Sequence, residues 1–221
     1  MAHSYTEENY LKALFALQEK EQEVGVKELA ARLGITMPTV TAMMKRLAAK
    51  NLVVYESYRP LRLTDEGRRQ SALILRKHRL TEMFLVQVMG FGWEQVHEIA
   101  EQVEHVQAPD FFERMDQMLG HPRQDPHGSP IPDAVGQMEP TGAVGLAGCA
   151  PGRRVRLAAV LDSSHAFLTY LNSRGLALGQ MLEVLAVEPF DGSMTIRPAG
   201  QAPNQALTLS RTVAERLLVE G

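Results

Sequence analysis

Four residues of metal-binding type lie on one face of a single amphipathic segment, and no other feature constrains the chain as much. Trp93 to Gln107 reads WEQVHEIAEQVEHVQ and sets His97, Glu101, Glu104 and His105 at i, i+4, i+7 and i+8. At about 100° per residue, a helix over 93–106 gathers these four within roughly a 100° arc. Val96, Ile99, Ala100 and Val103 supply the apolar side. The ordinary reading of such a face is a solvated one. Two features weigh against it. Glu101 and Glu104 lie close together with no Lys or Arg on the segment, and a bound cation would compensate their repulsion. Upstream, RKHRLTEMFL places His78 and Glu82 at i, i+4, and two His/Glu faces can enclose a metal between helices.

The chain has a net charge of −3, which conceals an asymmetry. Residues 24–70 hold nine Lys/Arg against four Asp/Glu, whereas residues 71–119 hold four against eight. The first block suits a polyanion and the second a cation. Cys149 is the single cysteine, which excludes an internal disulfide framework and a cysteine-based zinc site and fits a cytoplasmic protein. No apolar run approaches a membrane span, and MAHSYTEEN has the wrong polarity for a signal peptide.

YTEENYLKALFALQEK predicts a helix over 5–20, capped by Thr6, with Tyr10, Leu11, Leu14, Phe15 and Leu17 inward. A short helix ending at Gly34 and a second one opening at Thr36-Met37-Pro38 form a helix-turn-helix. The second helix offers Thr39, Thr41, Ala42, Lys45, Arg46 and Lys50 to a major groove, with Lys27, Thr36 and Pro38 beside them. Strands expected at 52–56 and 60–64 make a wing that presents Tyr58, Arg59 and Arg62 to phosphates. Thr64 caps a long helix over 65–89, and a further helix spans 109–119. Met83, Phe84, Val86, Val88, Met89, Phe91 and Trp93 are more apolar surface than one helical layer hides, which points to a homodimer. Residues 120–152 are Pro/Gly-rich linker. Beyond them short strands surround one helix, SHAFLTYLNSRG, capped by Ser163 or Ser164 and stopped by Gly175.

TEENYLKALFAL, the helix-turn-helix, YRPLRLTDEG, RKHRLTEMFL, the V-HE-x-A-x-x-x-EH run and HGSPIP together resemble the DtxR/MntR family of metal-dependent repressors over residues 4–133. The resemblance implies a mainly α protein ending in a β-barrel. Its parts would be a winged-helix DNA-binding domain (1–70), a helical metal-binding and dimerisation domain (71–135), a linker (136–152) and an SH3-like FeoA-type domain (153–221). It implies a primary metal site at Asn9, His78, Glu101, Glu104 and His105. Iron-responsive members carry Met and Cys at the positions of Asn9 and Glu101, and manganese-responsive members carry Asp and Glu, so Asn9 departs from both. Oxygen and imidazole donors favour Mn²⁺ or Fe²⁺. Lys12 stands where some manganese members have a ligand Glu, which argues against a metal pair. The family's ancillary site implies His78, Glu82 and His97 with C-terminal groups, here Asp162 or His165, or else Glu82 with Asp125 and His127 of Asp-Pro-His. The expected protein is a cytoplasmic homodimer, not an enzyme, that binds double-stranded operator DNA and represses metal-uptake genes. The alternative is a winged-helix regulator of a small organic ligand in which the His/Glu cluster is structural. A carboxylate-bridged metalloenzyme has no nucleophile or phosphate loop to support it.

Overall fold

The computed structural model describes residues 4–19, 23–200 and 205–221, and the chain forms two compact units. The first runs through Thr81 and adds Ala100–His121 and Ile131–Glu139; the second holds Glu82–Ile99, Pro122–Pro130 and Pro140–Gly221.

In the first unit, α1 (Tyr5–Gln18) buries Tyr10, Leu11, Leu14 and Phe15. Its cap is Ser4 rather than Thr6, because Ser4 and Glu7 have the three-residue spacing of a capping box: Ser4 Oγ accepts from Glu7 N, and Glu7 Oε2 accepts from Ser4 N. Residue 20 of the expected helix lies outside the described residues. α2 (Val26–Leu33) ends at Gly34, whose φ of 67° is left-handed, and α3 (Met37–Ala49) follows with Pro38 in its first turn. Val40, Met44 and Leu47 of α3 are buried with Leu29 and Ala30 of α2. β1 (Val53–Val54) and β2 (Arg62–Leu63) pair antiparallel, shorter than expected. Pro60 has no N–H to give, and Leu61 N donates across to Val24 O at 2.7 Å instead of extending the hairpin. Thr64 Oγ1 caps α4 (Asp65–Gln87) by accepting from Gly67 N. Gly67 is required there, since a Cβ would meet Leu52 O at 1.8 Å.

The helix expected over 93–106 is only α5, His97–Val103. Trp93 falls in a turn: its ring packs on the core of the second unit and its Nε1 donates to Asn172 Oδ1 at 2.8 Å. At the other end Glu104 N still reaches Ala100 O, but Val106 N turns back to Val103 O. Glu104 and His105 therefore leave the helix on a turn rather than on its face. α6 (Pro109–Met118) completes the helical part, with Val88, Met89, Phe111 and Met118 exposed.

The second unit is built on a six-stranded antiparallel sheet of β3 (Val144–Gly145), β4 (Arg154–Val160), β5 (Met181–Val187), β6 (Met194–Pro198), β7 (Leu207–Leu209) and β8 (Leu217–Glu220). Its order is β3-β8-β4-β5-β6-β7. Bulges at Leu157/Ala159 and Val184/Ala186 bend it, but among the described residues β3 and β7 do not pair, so the expected barrel is a curved open sheet. α7 (His165–Ser173), capped by Ser164 and ended near Gly175, and α8 (Arg211–Ala214) complete it. Phe167, Leu168 and Leu171 of α7 join Leu157, Val184, Ile196 and Leu217 in the core.

Candidate metal centre

The first unit gathers Glu8 and Lys12 of α1, His78 of α4, Glu101 of α5, and Glu104 and His105 of the turn that follows it; Asn9 lies between Glu8 and Lys12 on α1. Glu104 is fully buried. Its Oε2 lies 2.5 Å from His78 Nδ1, and its Oε1 lies 2.6 Å from the Lys12 ammonium. The same ammonium is 2.6 Å from Glu101 Oε1. The cation that the like-charged pair demanded is thus supplied, at least in part, from α1.

His105 shows its orientation through its partner. Nδ1 is 2.5 Å from Glu8 Oε2, and a carboxylate only accepts, so Nδ1 carries the proton in the neutral ring. Nε2 then has a lone pair. It sits 3.4 Å from Glu104 Oε1, acceptor against acceptor, and is buried without a hydrogen bond. Asn9 Oδ1 is likewise buried without a hydrogen bond. An orphaned imidazole nitrogen facing a buried carboxylate is an expensive arrangement that a divalent cation would relieve. The donor set of carboxylate and amide oxygens with one or two imidazoles fits Mn²⁺ or Fe²⁺.

Sequence reasoning passed over Glu8 and Glu7. Glu8, 4% exposed, orients His105, and Gln107 Nε2 donates to its other oxygen at 3.2 Å. Glu7 faces the other way from the same turn of α1. It is fully buried, 2.7 and 2.9 Å from Lys50 Nζ, with Arg46 Nε at 2.9 Å. Burial pushes its carboxyl up, but the Lys50 hydrogen bond, the Ser4 amide and the charges of Lys50 and Arg46 outweigh that and hold it below 4.5. The sequence signal for Glu7 is the Ser4-x-x-Glu7 spacing, which a cap placed at Thr6 conceals.

The second unit has its own cluster. Glu82, Asp125 and His127 are all buried, with one ligand atom of each within 4.8 Å of the others. His127 Nε2–H donates to Trp93 O at 2.9 Å and its ring stacks on Trp93, which leaves Nδ1 toward Glu82 Oε2 at 3.6 Å. Burial lowers the His127 pKa, but the Glu82 hydrogen bond, the charges of Glu82 and Asp125 and the Trp93 carbonyl together raise it above the usual histidine value. Asp125 Oδ1 also accepts from His127 N and Ser129 N, which fixes the loop. His97 joins through Nδ1, 3.3 Å from Glu82 Oε1. His78 belongs to the first unit and bonds Glu104 there. Asp162 accepts from Ser164 N and pairs with Arg216 at 2.7 Å, and His165 Nδ1 bonds Glu94 O; neither joins the Glu82 cluster.

On the helix-turn-helix, Lys27, Thr36, Pro38, Thr39, Ala42, Lys45, Arg46 and Lys50 are exposed, and Thr41 is half-buried. Thr36 makes no cap bond through its side chain and instead bonds the Thr39 hydroxyl at 2.9 Å. Tyr58 stands fully exposed at the wing tip with a φ of 62°, beside exposed Arg59 and Arg62. Arg46 and Lys50 are already paired with Glu7.

Three family models match. Residues 4–61 match the iron dependent repressor N-terminal DNA binding domain, residues 64–133 the iron dependent repressor metal binding and dimerisation domain, and residues 144–221 the FeoA domain. The chain is similar to the iron-dependent repressor IdeR of Mycobacterium tuberculosis (strain ATCC 25618 / H37Rv), 37% identical over 130 residues, 59% of this chain and 56% of that protein. That alignment spans little more than half of the relative. IdeR of Mycobacterium leprae (strain TN) is 29% identical over 214 residues, 97% of this chain and 87% of that protein. A solved structure described as a manganese-dependent transcriptional repressor in complex with manganese superposes with a TM-score of 0.87 at 34% identity, covering 96% of this chain and 98% of that one.

Proposed function

Because this chain belongs to the DtxR/MntR family of metal-dependent transcriptional repressors, we propose that it is a cytoplasmic repressor whose affinity for DNA depends on Mn²⁺ or Fe²⁺. It acts as a homodimer on palindromic double-stranded operator DNA and represses metal-uptake genes. Residues 1–70 read DNA, residues 71–135 bind metal and dimerise, and residues 136–152 link them to the FeoA-type domain. Among the described residues, no helix is long and apolar enough to cross a membrane.

The observation that carries this reading is the double attachment of α1. Glu7 ties it to Arg46 and Lys50 of the recognition helix, while Glu8 meets His105 and Lys12 meets Glu101 and Glu104. When bound, the ion would be held from among Asn9, His78, Glu101, Glu104 and His105; it would supply positive charge that draws these donors together. α1 is thereby fixed to the end of α5, and the ion pairs of Glu7 carry that constraint to α3. The two recognition helices of a dimer are then held at the spacing of their half-sites. This requires the DNA-ready arrangement to bind metal more tightly than the other, since equal affinity shifts nothing. The ancillary site is formed by Glu82, His97, Asp125 and His127; Asp162 is a weaker candidate for it, because Arg216 and Ser164 already hold its two oxygens. DNA contacts come from Lys27, Thr36, Pro38, Thr39, Thr41, Ala42, Lys45, Arg46, Lys50, Tyr58 and Arg59.

Replacing Glu104 by Ala tests the assignment. The variant keeps the fold, as read by circular dichroism, and loses the metal-induced gain in DNA affinity. Full metal dependence in that variant would show that the switch lies elsewhere.

A further inference from the structure

We propose that the tip of the wing reads the minor groove: Tyr58 and Arg59 enter it beside the major groove that takes α3, and they favour A·T over G·C pairs there. This rests on the DNA-binding reading above. The turn that carries them is closed by Arg59 N, which donates to Glu56 O at 3.2 Å, and it places Tyr58 third of four residues at a φ of 62°. A left-handed third position ordinarily belongs to Gly or Asn, because a β-carbon crowds the backbone there. Tyr58 is therefore held in a strained conformation, yet it is fully exposed, and among the described residues its ring has no partner. Strain kept without an internal contact points to an external one.

The neighbouring charges are available as well. Arg59 and Arg62 are exposed and form no ion pair among the described residues, whereas Arg46 and Lys50 of α3 are held by Glu7. The minor groove is about 6 Å wide, too narrow for a helix but open to a phenol ring edge-on or to a guanidinium. Its floor presents only acceptors at an A·T pair, adenine N3 and thymine O2, and a G·C pair adds the guanine 2-amino donor. The Tyr58 hydroxyl and the Arg59 guanidinium both donate, so they match the first floor and meet a competing donor on the second. A narrow A·T groove also carries the more negative potential, which attracts arginine. Phosphate contact alone would require neither the ring nor the left-handed turn that projects it.

The test uses base analogues in an operator enriched from a random library by the full-length protein in Mn²⁺. Each A·T pair is replaced in turn by G·C or by inosine·C, which keeps the minor-groove face of A·T while presenting the major-groove face of G·C. At one position in each half-site, outside those read by α3, G·C should weaken binding about tenfold and inosine·C should restore it to within about twofold. Tyr58→Gly should lose that discrimination and bind the A·T operator about tenfold more weakly. Its thermal melt should be no lower than that of the wild type, because glycine adopts the same φ freely. G·C and inosine·C weakening binding alike at every position, or Tyr58→Gly keeping the affinity and discrimination of the wild type, would overturn the minor-groove role and leave the DNA-binding reading intact. Failure to enrich any duplex would overturn both.

Discussion

Replacing Glu8 by Ala should weaken Mn²⁺ binding by about 10- to 100-fold without unfolding the protein. Glu8 gives no donor atom to the ion; it acts through His105. Its Oε2 is 2.5 Å from His105 Nδ1, and the two side chains are only 5% and 8% exposed, so the contact is shielded from water. The Tyr5 ring lies 3.9 Å from the imidazole and Gln107 holds the other Glu8 oxygen, so ring and carboxylate are both fixed. Loss of a carboxylate behind a ligating histidine costs about 10- to 100-fold in metal affinity, or about 1.4–2.7 kcal/mol. Glu8→Gln should cost less, because an amide oxygen still accepts from Nδ1–H while the charge is lost. Affinities are read by competition with a chromophoric chelator at fixed pH, and thermal melting without metal controls for the fold. In a double-mutant cycle, Glu8→Ala should cost nothing further once His105 is Ala. Unchanged affinity in the single variant, or a full additive loss in the double one, would refute the claim that Glu8 works by aiming His105 Nε2.

Other perturbations address the remaining interactions. Glu7→Gln should lower stability at pH 7 by only about 1 kcal/mol, since Lys50 and Arg46 are 35% and 58% exposed and solvent screens them. Glu7 is depressed in the folded state, so its contribution is present above the unfolded value of about 4.5 and is lost as pH falls through the folded one. Urea midpoints of wild type and Glu7→Gln should therefore converge in acid; a gap that widens there would contradict the sign. Gly128→Ala should disrupt the second cluster by deforming its loop, because φ is +84° and the new Cβ would lie 2.2 Å from Ala158 O. A thermal melt unchanged from wild type would show that the loop yields freely. Lys45→Ala and Arg59→Ala should each reduce the salt dependence of DNA binding by about one unit of log–log slope, and an unchanged slope would remove that residue from the interface.

Much of the fold is legible in the sequence because period and spacing carry it. Gly34, Pro38 and the apolar positions of α2 and α3 dictate the helix-turn-helix, and Thr64 and Gly175 mark a start and a stop. The spacing of His78, Glu82, His97, Glu101, Glu104 and His105 marks them as candidate cation ligands, while leaving a solvated face open as the other reading. Long-range pairing is not legible in this way. The segment after Val103 has a helical pattern, yet Glu104 is drawn out by His78 and Lys12, residues 26 and 92 positions away. The cation that Glu101 and Glu104 require is absent from their own segment and comes from α1. Trp93 reads as surplus apolar surface because Asn172, its hydrogen-bond partner, lies 79 positions on. The open sheet is hidden because short alternating strands are alike in a barrel and in a sheet, and only the unpaired edges of β3 and β7 distinguish them.

Metal control of DNA affinity is tested most directly with a selected operator. Duplexes are enriched from a random library by the full-length protein in Mn²⁺. Affinity for the enriched sequence is then measured at fixed salt with Mn²⁺, with Fe²⁺ under anaerobic conditions, with Zn²⁺ and with chelator alone. The expected result is a palindromic sequence bound at least tenfold more tightly with Mn²⁺ or Fe²⁺ than with chelator. Equal affinity in all four conditions would contradict the claim and leave a winged-helix protein that answers to another signal.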